Sequence, residues 1–219
     1  MNRATRIIAV RHGETAWNVD TRIQGQLDIE LNERGQWQVE RVGQALADEA
    51  ISRVYSSDLR RAQATAQAVA RHNRHLPPAQ AQVHLHPGLR ERAFGKFEGH
   101  TYAHIEATWP QESLRWRQRD PDFAPQGGET PLQMMARVDR AVQALASAHG
   151  GEQIVLVAHG GVLDMLYRLA TRQDVRAPRT WELGNAAINR LLWTPDGLTL
   201  VGWADARHLD EQALDEFGA

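Results

Sequence analysis

Two periodicities alternate along the chain. Ile7-Ile8-Ala9-Val10 is an apolar run of strand length, and Arg11-His12-Gly13-Glu14-Thr15 follows it, ahead of a polar, turn-rich stretch from Trp17 to Gln26. Asn32, just before Glu33-Arg34-Gly35, suits an N-cap. Val39, Val42, Leu46 and Ala50 then fall at spacings of 3, 4 and 4. That spacing predicts a core-facing helix running to about Ala50. Ile51 to Ser56 reads as a strand, and Ser56-Ser57-Asp58 opens a second helix in which Leu59, Ala62, Ala66 and Val69 share a face. Pro77-Pro78 breaks the rhythm, Val83 to His86 fits a further strand, and Pro87-Gly88 turns the chain.

From Leu89 to Gly128 the pattern is irregular and rich in Arg and Trp, and it predicts inserted helices over whatever site the chain carries. Regularity returns at Thr130-Pro131-Leu132-Gln133, which combines an N-cap, a proline at the first helical position and a capping-box glutamine. Met135, Val138, Val142 and Leu145 continue that helix to Gly150-Gly151. Ile154-Val155-Leu156-Val157-Ala158 is apolar without interruption, as a strand buried on both faces should be, and His159-Gly160-Gly161 ends it. A helix over Val162 to Ala170 follows. Two strands, Ala187–Trp193 and Leu198–Trp203, then pair around Thr194-Pro195-Asp196-Gly197. The βα alternation predicts an α/β three-layer sandwich, with a mostly parallel central sheet, helices on both faces and a helical insertion over the active site at about 92–128. No repeat or linker divides residues 1–219, so one domain is expected.

Composition narrows the function. The chain has 219 residues, no cysteine and a formal net charge of −2. Thiolate catalysis and Cys-ligated zinc are excluded, and an extended basic footprint for nucleic acid or anionic membrane is missing. The N-terminal apolar run is too short for a signal peptide and no run is long enough to span a bilayer, so a cytoplasmic protein is expected. Any affinity for anions must be local.

Such a locality is visible. His12 and His159 each end a strand and each precede glycine, which lets a ligand approach the backbone. Ligands of open α/β sheets bind outside the carboxyl ends of strands, and the helix opening at Gly160 presents its positive N-terminal end there. Arg11 and Arg61 add guanidinium forks that match phosphoryl oxygens two at a time. A phosphate-binding site results. The pairs His100/His104, His84/His86 and His72/His75 lack a completing carboxylate pattern, so no metal site is assigned.

Arg11-His12-Gly13-Glu14, Ser57-Asp58-Leu59-Arg60-Arg61-Ala62, Leu89-Arg90-Glu91 and His159-Gly160-Gly161 occur in that order. With them the chain resembles the histidine phosphatase superfamily, also called phosphoglycerate-mutase-like, from about Ile7 to about Trp203. The resemblance takes in Trp17-Asn18, Gln24-Gly25 and Phe94-Gly95-Lys96-Phe97-Glu98-Gly99. It implies a metal-independent phosphomonoesterase without cofactor, in which His12 attacks phosphorus to form a phosphohistidine and Glu91 protonates the leaving oxygen. His159 completes the catalytic set. Arg11, Asn18, Arg61 and Gly160 are the expected phosphate contacts, and Gln24, Gly25 and Phe94 the candidate substrate contacts. The pattern of an arginine directly before Ala-x-x-Thr selects Arg61 over Arg60, since Ala62-Gln63-Ala64-Thr65 follows it.

The implied partner is a small phosphorylated metabolite, and a homodimer is a form the family admits. The alternative activity is a cofactor-dependent phosphoglycerate mutase. Those enzymes carry an Arg-His-Tyr-Gly run where this chain has Arg92-Ala93-Phe94-Gly95, so hydrolysis is favoured. A non-catalytic phosphate-ligand binding protein is the remaining alternative. Arg115, Arg117 and Arg119, near Trp109 and Trp116, should line the entrance, where they either meet a second anionic group or form a solvated helix face.

Overall fold

Ile7 and Ala9 leave the first strand on one side and Ile8 and Val10 on the other, and both sides are packed. That double burial decides the architecture. The computed structural model describes residues 3–77 and 82–210. Its first half runs β1 (Thr5–Arg11), α1 (Ala16–Val19), α2 (Glu33–Ala45), β2 (Arg53–Ser56), α3 (Arg60–His72) and β3 (His84–Leu85). The insertion contributes α4 (Tyr102–Thr108) and α5 (Pro110–Arg117), and α6 (Pro131–Ser147), β4 (Gln153–Ala158), α7 (Gly160–Thr171), β5 (Ile188–Thr194) and β6 (Gly197–Asp205) complete the order. Pro78 of the expected break and residues 211–219 lie outside the described residues, as do Met1 and Asn2.

The strands form one six-stranded sheet in the order β3-β2-β4-β1-β5-β6. β3, β2, β4 and β1 are mutually parallel, while β5 is antiparallel to both β1 and β6. Central β4 is buried at every position. Val42, Leu46, Ala62, Ala66 and Val69 from the α2–α3 layer pack with Ile8, Val10, Val155 and Val157. Met134, Val138, Val142, Leu163 and Leu166 from the α6–α7 layer pack with Ile7, Ala9, Ile154 and Leu156. The alternation of side chains along β1 and β4 thus feeds two cores. A smaller cluster under the insertion joins Ile23, Phe97, Ile105 and Phe123.

Three local expectations change. α2 stops at Ala45 instead of about Ala50, because Leu46 closes the helix and the chain turns there; Ala47 is buried and Ala50 exposed. In α6 the buried stripe begins at Met134, four residues before Val138, and Met135 is only partly buried beside it. The polar stretch after Thr15 contains one helical turn, α1, closed by a capping box between Thr15 and Asn18. Among the described residues no helix is long and apolar enough to cross a membrane.

α6 opens with the expected capping box: the Thr130 hydroxyl accepts from Gln133 N at 3.1 Å and Gln133 Oε1 accepts from Thr130 N at 2.9 Å. Replacing Thr130 by Ala removes one of these bonds and should cost about 1 kcal/mol. In a chain of this size that corresponds to a fall in Tm of roughly 2–4 °C in calorimetry.

Candidate active site

The sheet brings the two histidines together before any side chain is considered. β1 and β4 are parallel neighbours with Arg11 opposite Ala158, so His12 and His159 leave adjacent strands at the same level. His12 N donates to Ala158 O at 3.0 Å, and Asn185 Nδ2 donates to His12 O at 2.9 Å. Gly13 N donates to Thr65 Oγ1 at 3.1 Å, and that hydroxyl donates to Arg61 O at 2.8 Å. Thr65 therefore ties the His12 loop to the helix that carries Arg61. A Cβ on Gly13 would lie 2.7 Å from Gly35 O, so the glycine is needed for α2 to approach. Glu14 accepts from Asn32 Nδ2 at 2.9 Å and is occupied with the N-cap of α2.

His12 is 3% exposed and its Nδ1 lies 2.7 Å from Gly13 O. A proton on Nδ1 is donated to that carbonyl, which leaves Nε2 with its lone pair. Burial holds the His12 pKa well below the usual histidine range, with Arg61 and Arg11 acting in the same sense. The His159 ring lies 5.1 Å from that of His12, centroid to centroid, and is fully buried. Its pKa is likewise depressed, first by burial and then by Arg61, His12 and Arg11. Both of its ring nitrogens lack a hydrogen-bond partner.

Arg61 is 1% exposed and held by two carbonyls, donating to Leu27 O and Gly25 O at 2.8 Å each. Burial lowers its pKa to about 10, which leaves it cationic at neutral pH. Arg11 donates to Leu183 O. The Nε atoms of both guanidiniums are buried without partners, and so is Gln24 Oε1. Buried donors in this state are costly unless a ligand completes them. The unpartnered guanidinium donors of Arg11 and Arg61, close to the His12 imidazole, fit an oxyanion.

Glu91 is not paired with its neighbours. Arg90 turns away to Asp58, at 2.6 and 2.7 Å, and Arg92 donates to Glu129 O and Phe123 O at 2.7 and 3.0 Å. The Glu91 carboxylate accepts instead from Gly161 N at 3.0 Å and from Arg92 N at 2.7 Å. A Cβ on Gly161 would lie 2.2 Å from Glu91 Oε1, so that glycine makes room for the carboxylate. Arg137 of α6, itself paired with Glu129, fastens the loop by donating to the carbonyls of Gly88 and Arg90 at 2.8 and 2.9 Å.

These groups line a cleft of about 450 Å³. Arg11, His12, Arg61, Glu91 and Gly160 form one part of its wall, and Asn18, Gln24, Gly25 and Phe94 another. Asn18 Oδ1 is taken up by Thr15 and Asn185, leaving its Nδ2 for a ligand. His159 stands beside His12 without contributing cleft surface. The insertion adds Tyr102, Trp116 and Arg119, with Tyr102 stacked on Trp116 at 5.2 Å. Of the three expected entrance arginines, only Arg119 reaches the cleft. Arg115 pairs with Asp120 and Arg117 with Glu106.

The loop from 172 to 187 also contributes, although no periodicity in its sequence marks it. Leu183 supplies the carbonyl for Arg11, Asn185 the donor for the His12 carbonyl, and Arg179 lines the cleft. An asparagine just ahead of the Ala187 strand was the one available signal. Among the described residues no group of three or more histidines and carboxylates is arranged to hold a metal ion. His72 faces Glu40, His86 accepts from Gly88 N, and His100 stacks on His104.

The family model "Histidine phosphatase superfamily (branch 1)" matches residues 7–206. The chain is 38% identical to phosphoglycerate mutase-like protein 4 of Arabidopsis thaliana, over 97% of this chain and 90% of that protein. It is 34% identical to a metal-independent phosphoserine phosphatase of the same plant, over 95% and 84%. A solved mycobacterial glucosyl-3-phosphoglycerate phosphatase superposes with a TM-score of 0.81 at 33% identity, covering 92% of this chain and 99% of that one. Four motifs that lie far apart in sequence meet in one cleft, and the family model runs through all of them: the chain belongs to branch 1 of the histidine phosphatase superfamily.

Proposed function

We propose that the protein is a phosphomonoesterase that uses His12 as nucleophile and acts on a small phosphorylated metabolite. The observation that carries this reading is the His12 imidazole. It is buried and oriented through Nδ1 on Gly13 O, so Nε2 is free between two arginines. Nε2 attacks phosphorus, the P–O bond to the alcohol breaks, and the departing oxygen takes a proton from Glu91. Water then attacks the phosphohistidine, gives its proton to Glu91 and releases inorganic phosphate, returning His12 to its neutral form. Arg11, Arg61 and Asn18 line the cleft and hold the phosphoryl oxygens, in place before the charge develops on them, and His159 stands behind them beside His12. The two guanidiniums supply the positive charge this chemistry needs, so the reaction is metal-independent.

Hydrolysis is favoured over transfer to a second phosphorylated molecule. Phe94 lines the cleft with its ring 5.7 Å from that of Trp116 and under the Arg92 guanidinium, and it brings no hydroxyl. The names of two relatives, a phosphoserine phosphatase and a glucosyl-3-phosphoglycerate phosphatase, support the same choice.

Turnover of an aryl phosphate in the presence of a chelator should fall to the buffer rate in His12→Ala; turnover that survives this substitution would falsify the mechanism. Glu91→Gln should slow alkyl esters far more than an aryl ester whose leaving group needs no proton. With the aryl ester it should also accumulate a phosphoenzyme that is labile in acid and stable in base, detected by intact-protein mass spectrometry at alkaline pH.

A neutral nucleophile has a consequence for stability. Both histidine pKa values are lower in the folded chain than the ordinary value of about 6.5. The unfolded state therefore binds more protons at mildly acidic pH. Stability is fully present above that value and is lost as pH falls, by up to about 1.4 kcal/mol per pH unit for each histidine. Denaturant titrations between pH 7 and 5 should show this slope, and His12→Gln should flatten it.

A further inference from the structure

The cleft is larger than a phosphoryl group requires, and it holds cations beyond Arg11 and Arg61. Arg22, Arg119 and Arg179 all line it, and the guanidiniums that act on His12 itself are those of Arg61 and Arg11. Arg22 is engaged with Gly99 O at 2.7 Å and lies over Trp17. Arg119 is held by Val175 O at 2.9 Å and Asp164 at 2.5 Å. Arg179 has no hydrogen bond or ion pair among the described residues, yet its charge is felt at Arg11, Tyr102 and Arg168. It is an exposed cation placed inward on the 172–187 loop and left without a counter-charge.

Asp164, the cleft carboxylate paired with Arg119, does not supply that counter-charge. Asp164 Oδ2 is shared by Arg119 and by the fully buried Arg168, at 2.5 and 3.2 Å. Two guanidiniums on one carboxylate leave the cluster net positive. Tyr102, stacked on Trp116, adds a hydroxyl-bearing ring to the same wall and no charge at neutral pH. A guanidinium facing a cleft of like sign is stabilised by an anion, and a carboxylate matches its fork.

We propose that Arg179 is a specificity residue that binds a carboxylate on the alcohol portion of the substrate, so that the preferred substrates are phosphomonoesters bearing a second anionic group. This rests on the reading of the cleft as a phosphomonoesterase site. The Arg119–Asp164–Arg168 cluster adds positive potential to the cleft, and Arg179 makes the direct contact.

Two matched pairs test it by phosphate release: 3-phosphoglycerate against glycerol 3-phosphate, and O-phosphoserine against phosphoethanolamine. Within each pair the leaving groups differ at a carboxylate. Wild type should prefer the carboxylate member of at least one pair by tenfold or more in kcat/KM. In Arg179→Gln that preference should shrink at least fivefold, mainly through KM, and Arg179→Lys should recover part of it. Arg179 is exposed and bonded to no other described residue, so these variants keep the fold.

A wild type that hydrolyses an aryl phosphate but shows no tenfold preference in either pair overturns the proposal and leaves the phosphatase reading standing. So does a preference that shrinks less than fivefold in Arg179→Gln, as it would if Arg179 gripped the transferred phosphoryl group common to all the esters. A wild type inert toward every ester, the aryl phosphate included, instead overturns the phosphatase reading itself.

Discussion

The parallel pairing of β1 with β4 is the contact on which the rest of the site depends. These strands are separated by most of the chain, and their hydrogen-bonded register sets Arg11 beside Ala158. Two histidines therefore emerge side by side at the carboxyl edge of the sheet. Slipping the pair by one residue would exchange Ile7 and Ala9 with Ile8 and Val10 between two cores of different shape. The packing that specifies the fold thus also specifies the separation of His12 from His159. Precision in the site comes from burial on both faces of β4, where every residue is enclosed.

A chain of net charge −2 concentrates cations in one cleft, and the fold sustains this through main-chain carbonyls more than through carboxylates. Leu27, Gly25 and Leu183 carbonyls hold Arg61 and Arg11, and Phe123 and Glu129 carbonyls hold Arg92. A carbonyl dipole orients a guanidinium without cancelling its charge. The arginines stay positioned and remain unneutralised, which preserves their attraction for an arriving dianion. Arg119, paired with Asp164, is the exception among the cleft arginines, and other ion pairs, such as Arg60 with Glu30 and Arg117 with Glu106, lie at the periphery.

Much of this was legible in the sequence. The continuous apolar runs marked β1 and β4, and the stripes of α2, α3 and α6 marked the helices that cover them. The strand-end positions of His12 and His159 followed directly. Boundaries were less legible: α2 ends at Ala45 because Leu46 turns inward to the core, and an apolar residue at helical spacing does not reveal where the backbone stops being helical. The insertion resisted for a different reason. Its helices are short, and its cluster of Phe97, Trp109, Trp116 and Phe123 packs by aromatic contact instead of by a repeating stripe. The 172–187 loop has no periodicity, so Asn185 and Arg179 act through contacts that only the folded chain creates. Glu91 stands out only through the family motif, and the fold draws its neighbours Arg90 and Arg92 to other partners.

Gly161 links two things that the chain keeps far apart. Its N–H holds Glu91 from the first turn of α7, the helix that begins directly after His159. Arg137 fixes the other side of the same loop to α6, which packs against α7. The carboxylate is thereby referenced to the helix layer that follows the histidine as well as to its own loop. A change in the His159–Gly160–Gly161 turn would therefore reposition Glu91 together with the histidine, although Glu91 and Gly161 are 70 residues apart in the chain.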